Sequence, residues 1–274
     1  MTPVVALLVA VGMLAVVPLG LPLLGTAGID GLRRAWPWAG VVGAGSLLLP
    51  VGLPAVLLTL PYAGLCTIAA GLGLRRAWTA RPARGTAALR ELTALTALGS
   101  LPVAGSCLVA ERGGYALLGF GPDLLALTVA HFHFAGFAVA TLAGLVLVRC
   151  PGRLSRTGAT AVPAGTALVA VGHLTGPAVE LAGALLVAVG VLALSGATLG
   201  YALGHRRMPR ALLVVAVAVT PVTMGLALWW AVGRWAGLPH LDLATTAATH
   251  GVANALGLCL CGLLGWRLLR ATPV

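Results

Sequence analysis

The chain has 274 residues, of which 59% are hydrophobic and 8% charged, and its mean hydropathy is +1.04. An ordinary soluble domain carries about 25% charged residues, so this composition excludes one and makes lipid the solvent for most of the surface. The net charge of +11 would point to nucleic acid in a soluble chain; here it sits in short connections between apolar runs, where positive residues set topology and meet anionic headgroups, and no nucleic-acid partner is expected.

The first run, Val4 to Leu24, lacks the positive leader and the small-residue cleavage site of a secretory signal, and reads as a retained span. A crossing helix needs about 20 apolar residues. By that ruler the chain is an all-α, polytopic transmembrane helix bundle of nine spans. They lie near 4–25, 36–50, 53–74, 89–110, 124–148, 159–174, 178–203, 210–234 and 243–268, in a single integral membrane domain over 1–274. Two long runs need dividing. Pro50 and Pro54 break the stretch from Trp36 to Leu74, and His173-Leu-Thr-Gly-Pro177 breaks the stretch from Thr157 to Leu203, with Pro177 suited to a first helical position.

All seventeen cationic side chains are arginine, a bias that suggests a GC-rich bacterial genome. With the N-terminus outside and the C-terminus cytoplasmic, fifteen of them (Arg33, Arg34, Arg75, Arg76, Arg81, Arg84, Arg90, Arg149, Arg153, Arg156, Arg206, Arg207, Arg210, Arg267 and Arg270) fall on the cytoplasmic side, leaving Arg112 and Arg234 outside. Merging one of the two divided runs would invert the later loops and destroy this asymmetry. The expected location is the bacterial plasma membrane, multi-pass, with the bilayer itself as partner. Gly196, Gly200 and Gly204 recur at a spacing that allows close helix packing.

Ionisable groups deep in a span are costly, at least about 2.5–3.5 kcal/mol each at a helix centre, so they are the candidate functional residues. The fifth span holds His131 and His133, about 200° apart on a regular helix and therefore on different faces. The ninth holds His250 and Asn254, four residues apart and on one face. His131 and His250 each lie about 10 Å in from the outer end; His173 ends the sixth span and Glu180 opens the seventh. Depth alone groups His131, His133, His173, Glu180, His250 and Asn254 into a polar pocket in the extracytoplasmic half.

Other polar residues carry simpler readings. Asp123 and Asp242 suit the N-caps of the fifth and ninth spans. Glu111 and Arg112 read as a solvated edge pair, and His205 and His240 as loop residues. Trp36, Trp38, Trp78, Trp235 and Trp266 read as interfacial anchors, with Trp229 and Trp230 fitting the same account. The five cysteines form no CxxC and suit small buried positions.

The string His131-Phe-His-Phe-Ala-Gly-Phe137 within an apolar helix, followed by His250-Gly-Val-Ala-Asn-Ala-Leu-Gly257, resembles the YndJ-like family of bacterial membrane proteins. The resemblance implies the membrane class and points to His131, His133, His250 and Asn254; it supplies no mechanism. Three functions compete. Many helices and intramembrane His and Glu suit a transporter for a small solute or ion, which is the reading preferred, with no cofactor and no enzymatic activity. The alternative is an intramembrane haem- or metal-dependent enzyme in which His131 and His250 are the ligands, although neither HExxH nor a dense histidine box occurs. A non-catalytic scaffold is the third.

Overall fold

The computed structural model describes residues 1–80, 84–204 and 207–271. Arg81, His205 and Arg206 lie outside them, as do the side chains of Arg207 and Arg270. The protein is all-α, 87% helical and without strands among the described residues, and nine helices follow one another along it: α1 Pro3–Leu23, α2 Ile29–Gly45, α3 Leu53–Thr79, α4 Thr86–Gly113, α5 Pro122–Arg149, α6 Arg153–Thr175, α7 Pro177–Ala202, α8 Arg207–Ala236 and α9 Leu243–Leu269. Seven of these are long and apolar enough to cross a membrane; α2 and α6 are the two outside that set. The sequence reads as one undivided domain, but the packing separates the chain into two compact units, Met1–Ala83 with Ala94–Thr141, and Arg84–Thr93 with Leu142–Val274. One boundary falls just before α4, and the other two fall inside α4 and α5.

In the first unit, α2 begins at Ile29, earlier than hydropathy suggests, because its first two turns carry Asp30, Arg33 and Arg34 and are helical though polar. Gly28, at φ +81°, starts it in the left-handed region that favours glycine. The turn before it is closed from α3: the Arg76 guanidinium donates to the Leu24 carbonyl at 2.7 Å and to the Thr26 hydroxyl at 2.8 Å, and Arg75 donates to the Ala27 carbonyl at 3.3 Å. Helices α2 and α3 run antiparallel, since Gly28 lies against Leu72 and Arg75 while Gly43 lies against Tyr62.

The turn between α2 and α3 corrects one expectation. Glu111 and Arg112 are buried, not solvated. Arg112 donates to both Glu111 oxygens, at 2.6 and 2.7 Å, and to the Leu49 and Ser46 carbonyls at 3.2 and 3.4 Å, while its own carbonyl accepts from the Gly52 N–H at 2.9 Å. The last carbonyls of a helix have no partner within the helix. A guanidinium carries five donors in a fixed fork, so one residue satisfies that turn and a carboxylate together.

In the second unit, α6 and α7 form the closest pair. Gly158, Gly165 and Gly172 on α6 meet Leu194, Val187 and Glu180 on α7, and Gly183 and Gly190 on α7 meet Val169 and Val162 in return. The spacing is seven residues and the sense antiparallel. A Cβ at Gly165 would stand 2.7 Å from the Val187 nitrogen, and one at Gly183 2.5 Å from the Val169 nitrogen, so backbone abuts backbone. The spacing read from sequence is not where this happens, because Gly200 has no atom within 4 Å of its Cβ position. Helix α8 packs antiparallel on α7 through a buried Ser195–Thr220 hydroxyl pair (3.1 Å) and on α9 through Val219 against Gly257.

Helix starts follow the same chemistry. Asp242 caps α9, accepting from the Thr245 N–H at 2.8 Å and from its hydroxyl at 2.7 Å, and those bonds hold its carboxyl below the usual carboxylate range. Asp123 does not cap α5. Gly121 holds that position and Asp123 lies in the first turn, where a carboxylate suits the helix dipole.

The glycine contacts make a signed prediction. Gly165→Ala should destabilise the detergent-solubilised protein by about 1–3 kcal/mol, because the methyl meets main chain that cannot step aside. Gly200→Ala should stabilise by up to about 1 kcal/mol, since it removes glycine's backbone freedom without a clash. Unfolding titrations in sodium dodecyl sulfate would compare the two.

Candidate functional site

The six candidate residues fall into three groups. His131 and His133 belong to the first unit; His173 with Glu180, and His250 with Asn254, belong to the second.

The two α5 histidines have opposite environments. His131 is exposed, its ring edge-on to Phe132. His133 is fully buried in a π-helical turn, Phe132–Ala138, and is hydrogen-bonded through Nε2 to the Tyr62 hydroxyl of α3. Gly12 of α1 allows this: a Cβ there would lie 2.7 Å from the His133 ring. Gly12 itself opens a second π turn, Gly12–Val16. In that pairing each N–H reaches five residues back, as Val17 does to the Gly12 carbonyl. The next residue, Pro18, has no N–H to give Met13, and the Trp36 indole N–H takes that role, donating to the Met13 carbonyl at 3.1 Å. Trp36 then meets Tyr62 edge-on at 5.3 Å. The interfacial role expected of Trp36 is therefore corrected: it is buried because it supplies a missing donor. Trp266 is buried as well, stacked on Tyr201 at 5.0 Å. Trp38, Trp78 and Trp235 are exposed.

On α9, His250 Nδ1–H donates to the Thr223 carbonyl of α8 at 2.7 Å, and the Asn254 amide lies 3.3 Å from Nε2. Both residues sit in π-helical turns, Ala247–Gly251 and Asn254–Cys261. The Asn254 carbonyl oxygen is buried without a hydrogen-bond partner among the described residues.

Glu180, in the first turn of α7, is buried and faces an imidazole and a guanidinium. His173 Nε2 stands 3.5 Å from Oε1, and Arg234 Nη2 stands 3.6 Å from Oε2. Arg234 also lies over the Trp230 ring, 5.0 Å from its centroid. Glu180 and His250 do not share a pocket. They touch α8 at Arg234 and Thr223, eleven residues or about 16 Å apart along the helix.

Sequence reasoning missed Tyr62, Arg234 and Thr223. A lone tyrosine in an apolar run and a backbone carbonyl leave no pattern, but Arg234 does. In the topology expected from the sequence, it is one of only two arginines placed off the charged side. The other is Arg112, and each is set against a glutamate that is buried.

A family profile for YndJ-like proteins matches residues 7–258. The chain belongs to the YndJ-like family. No curated protein and no solved structure is significantly similar to it. With seven helices apolar enough to cross, this YndJ-like protein is a helical membrane protein. Among its described residues no three His, Cys, Asp or Glu side chains converge as metal ligands would.

The Tyr62–His133 bond is testable. Tyr62→Phe should cost about 1–3 kcal/mol by leaving a buried ring nitrogen unpaired. A double-mutant cycle with His133→Phe should return a coupling of at least about 0.5 kcal/mol, read from the same unfolding titrations.

Proposed function

We propose that this YndJ-like protein is a transporter-like protein of the bacterial plasma membrane, with nine spans, an outside N-terminus and a cytoplasmic C-terminus, which moves a small solute or ion past polar side chains held within its helices. The observation that carries this reading is the coincidence of buried and half-buried polar groups with π turns. His133, His250 and Asn254 are all in such turns. Irregular helical backbone at membrane depth is tolerated where it is enclosed by protein or lines a cavity, and π turns are frequent at functional sites. A scaffold has no need of either ionisable groups or loosened helices in its spans.

Two observations support nine crossings over seven. Helix α2 runs alongside α3 from Gly28 to Gly45, and α6 runs alongside α7 from Gly158 to Gly172. Each covers at least about 20 Å of a neighbour that is itself long and apolar enough to cross. Withdrawing α2 and α6 from the membrane would also carry Arg75, Arg76, Arg84 and Arg90 outside, against the positive-inside rule.

Alkaline phosphatase fused at Gly114 or Gly237 should be active, and green fluorescent protein fused to the C-terminus should fluoresce. The reverse pattern would overturn the orientation. For transport, proteoliposomes holding a pH-sensitive dye should dissipate an imposed proton gradient at least about tenfold faster with the wild-type protein than with His250→Ala. Equal rates, matching empty vesicles, would exclude proton movement and leave the transport reading without its mechanism.

A further inference from the structure

The His173–Glu180 contact leaves a place for one proton. His173 Nδ1 lies 2.9 Å from the Val169 carbonyl, one turn back in α6. A carbonyl only accepts, so Nδ1 carries a hydrogen. In a neutral ring Nε2 is then a bare lone pair. It faces Glu180 Oε1 at 3.5 Å, and Oε1 is a buried oxygen with no hydrogen bond among the described residues. Two acceptors facing each other in a buried place repel, and the opening between them is where a single hydrogen would satisfy both.

We infer that His173 and Glu180 together form a binding site for one proton, shared between Nε2 and Oε1, with Arg234 as the counter-charge on the second carboxylate oxygen. Uptake breaks no bond within the protein: a proton from water joins the pair, the contact closes to a hydrogen bond, and the local charge rises by one. The charged groups facing Glu180 within 4 Å, among the described residues, are His173 from α6 and Arg234 from α8; no other ionisable group of α7 does so.

The surroundings fit a site that fills and empties. The Glu180 side chain is 4% exposed, but those of His173 and Arg234 are 29% and 45% exposed, so water reaches the pair from the helix ends. Arg234 lies over Trp230 at the same time as it faces Glu180, so it does not depend on the carboxylate alone for its place. Gly172, whose Cβ would collide with the Glu180 backbone, brings the two helix ends into backbone contact and so sets His173 and Glu180 side by side. The use of this proton in transport rests on the reading proposed above; its binding does not.

Diethylpyrocarbonate tests the site, because it attacks an imidazole nitrogen through its free lone pair. His240, exposed and with its own Nδ1 at 2.8 Å from a carbonyl, is an internal reference in the same chain. In the purified full-length protein at pH 7, peptide mass spectrometry should find His173 modified at least about tenfold more slowly than His240. At pH 9 most of that gap should close, which simple burial of the ring would not produce. Glu180→Ala should bring His173 close to the His240 rate at pH 7. If that variant is not monodisperse, the wild-type pH comparison decides alone. Equal wild-type rates at pH 7, a gap that does not change with pH, or protection that survives Glu180→Ala would each overturn the shared proton. Protection as expected without proton flux in proteoliposomes would instead exclude proton movement by the protein and leave the site standing.

Discussion

A polar group in a bilayer must find its partner inside the protein, because lipid offers none. That constraint governs this YndJ-like protein from its turns to its spans. The α2–α3 turn exposes carbonyls at Ser46 and Leu49, and Arg112 supplies the donors. Pro18 leaves the Met13 carbonyl of a π turn without its N–H, and the Trp36 indole replaces it. The turn at Leu24–Ala27 is closed by Arg75 and Arg76. In each case a side chain that composition would assign to the surface or the interface is used to close the backbone of another element.

This explains which parts of the architecture are legible in the sequence. The helical membrane class follows from composition, and helix positions follow from runs of apolar residues, because both reflect the solvent around the protein. The start of α2 does not follow, since hydropathy sees Asp30, Arg33 and Arg34 as loop while the backbone is already helical there. The α6–α7 contact is hidden for another reason. Glycines seven residues apart face main chain on the opposite helix, and that matters only once the antiparallel pairing is known. The nearer spacing at Gly196 and Gly200 is more visible and less consequential.

Depth alone did not place the candidate residues together. A count of residues from the span ends treats the helices as regular, and α1, α5 and α9 are not. A π turn changes the rotation per residue, so residues after it present different faces from those a 3.6-residue period gives. His133 is the enclosed member of its pair and His131 the exposed one, a split that two residues about 200° apart show on a regular helix as well, and His250 meets α8 at Thr223, well away from the level at which Arg234 meets Glu180.

The two arginines that break the positive-inside pattern expected from the sequence show the difference between a structural pair and one able to do chemistry. Arg112 holds Glu111 with two bonds of 2.6 and 2.7 Å, and both are buried. Such a bidentate pair, which also satisfies neighbouring carbonyls, has no vacancy for a proton or an ion. Arg234 approaches Glu180 only to 3.6 Å, well beyond the roughly 2.7–2.9 Å of a charge-assisted bond, and it is half-exposed on an aromatic ring. One pair is complete and therefore inert. The other leaves a buried carboxylate oxygen open beside an imidazole lone pair, and that incompleteness singles out Glu180 as the group where chemistry can begin.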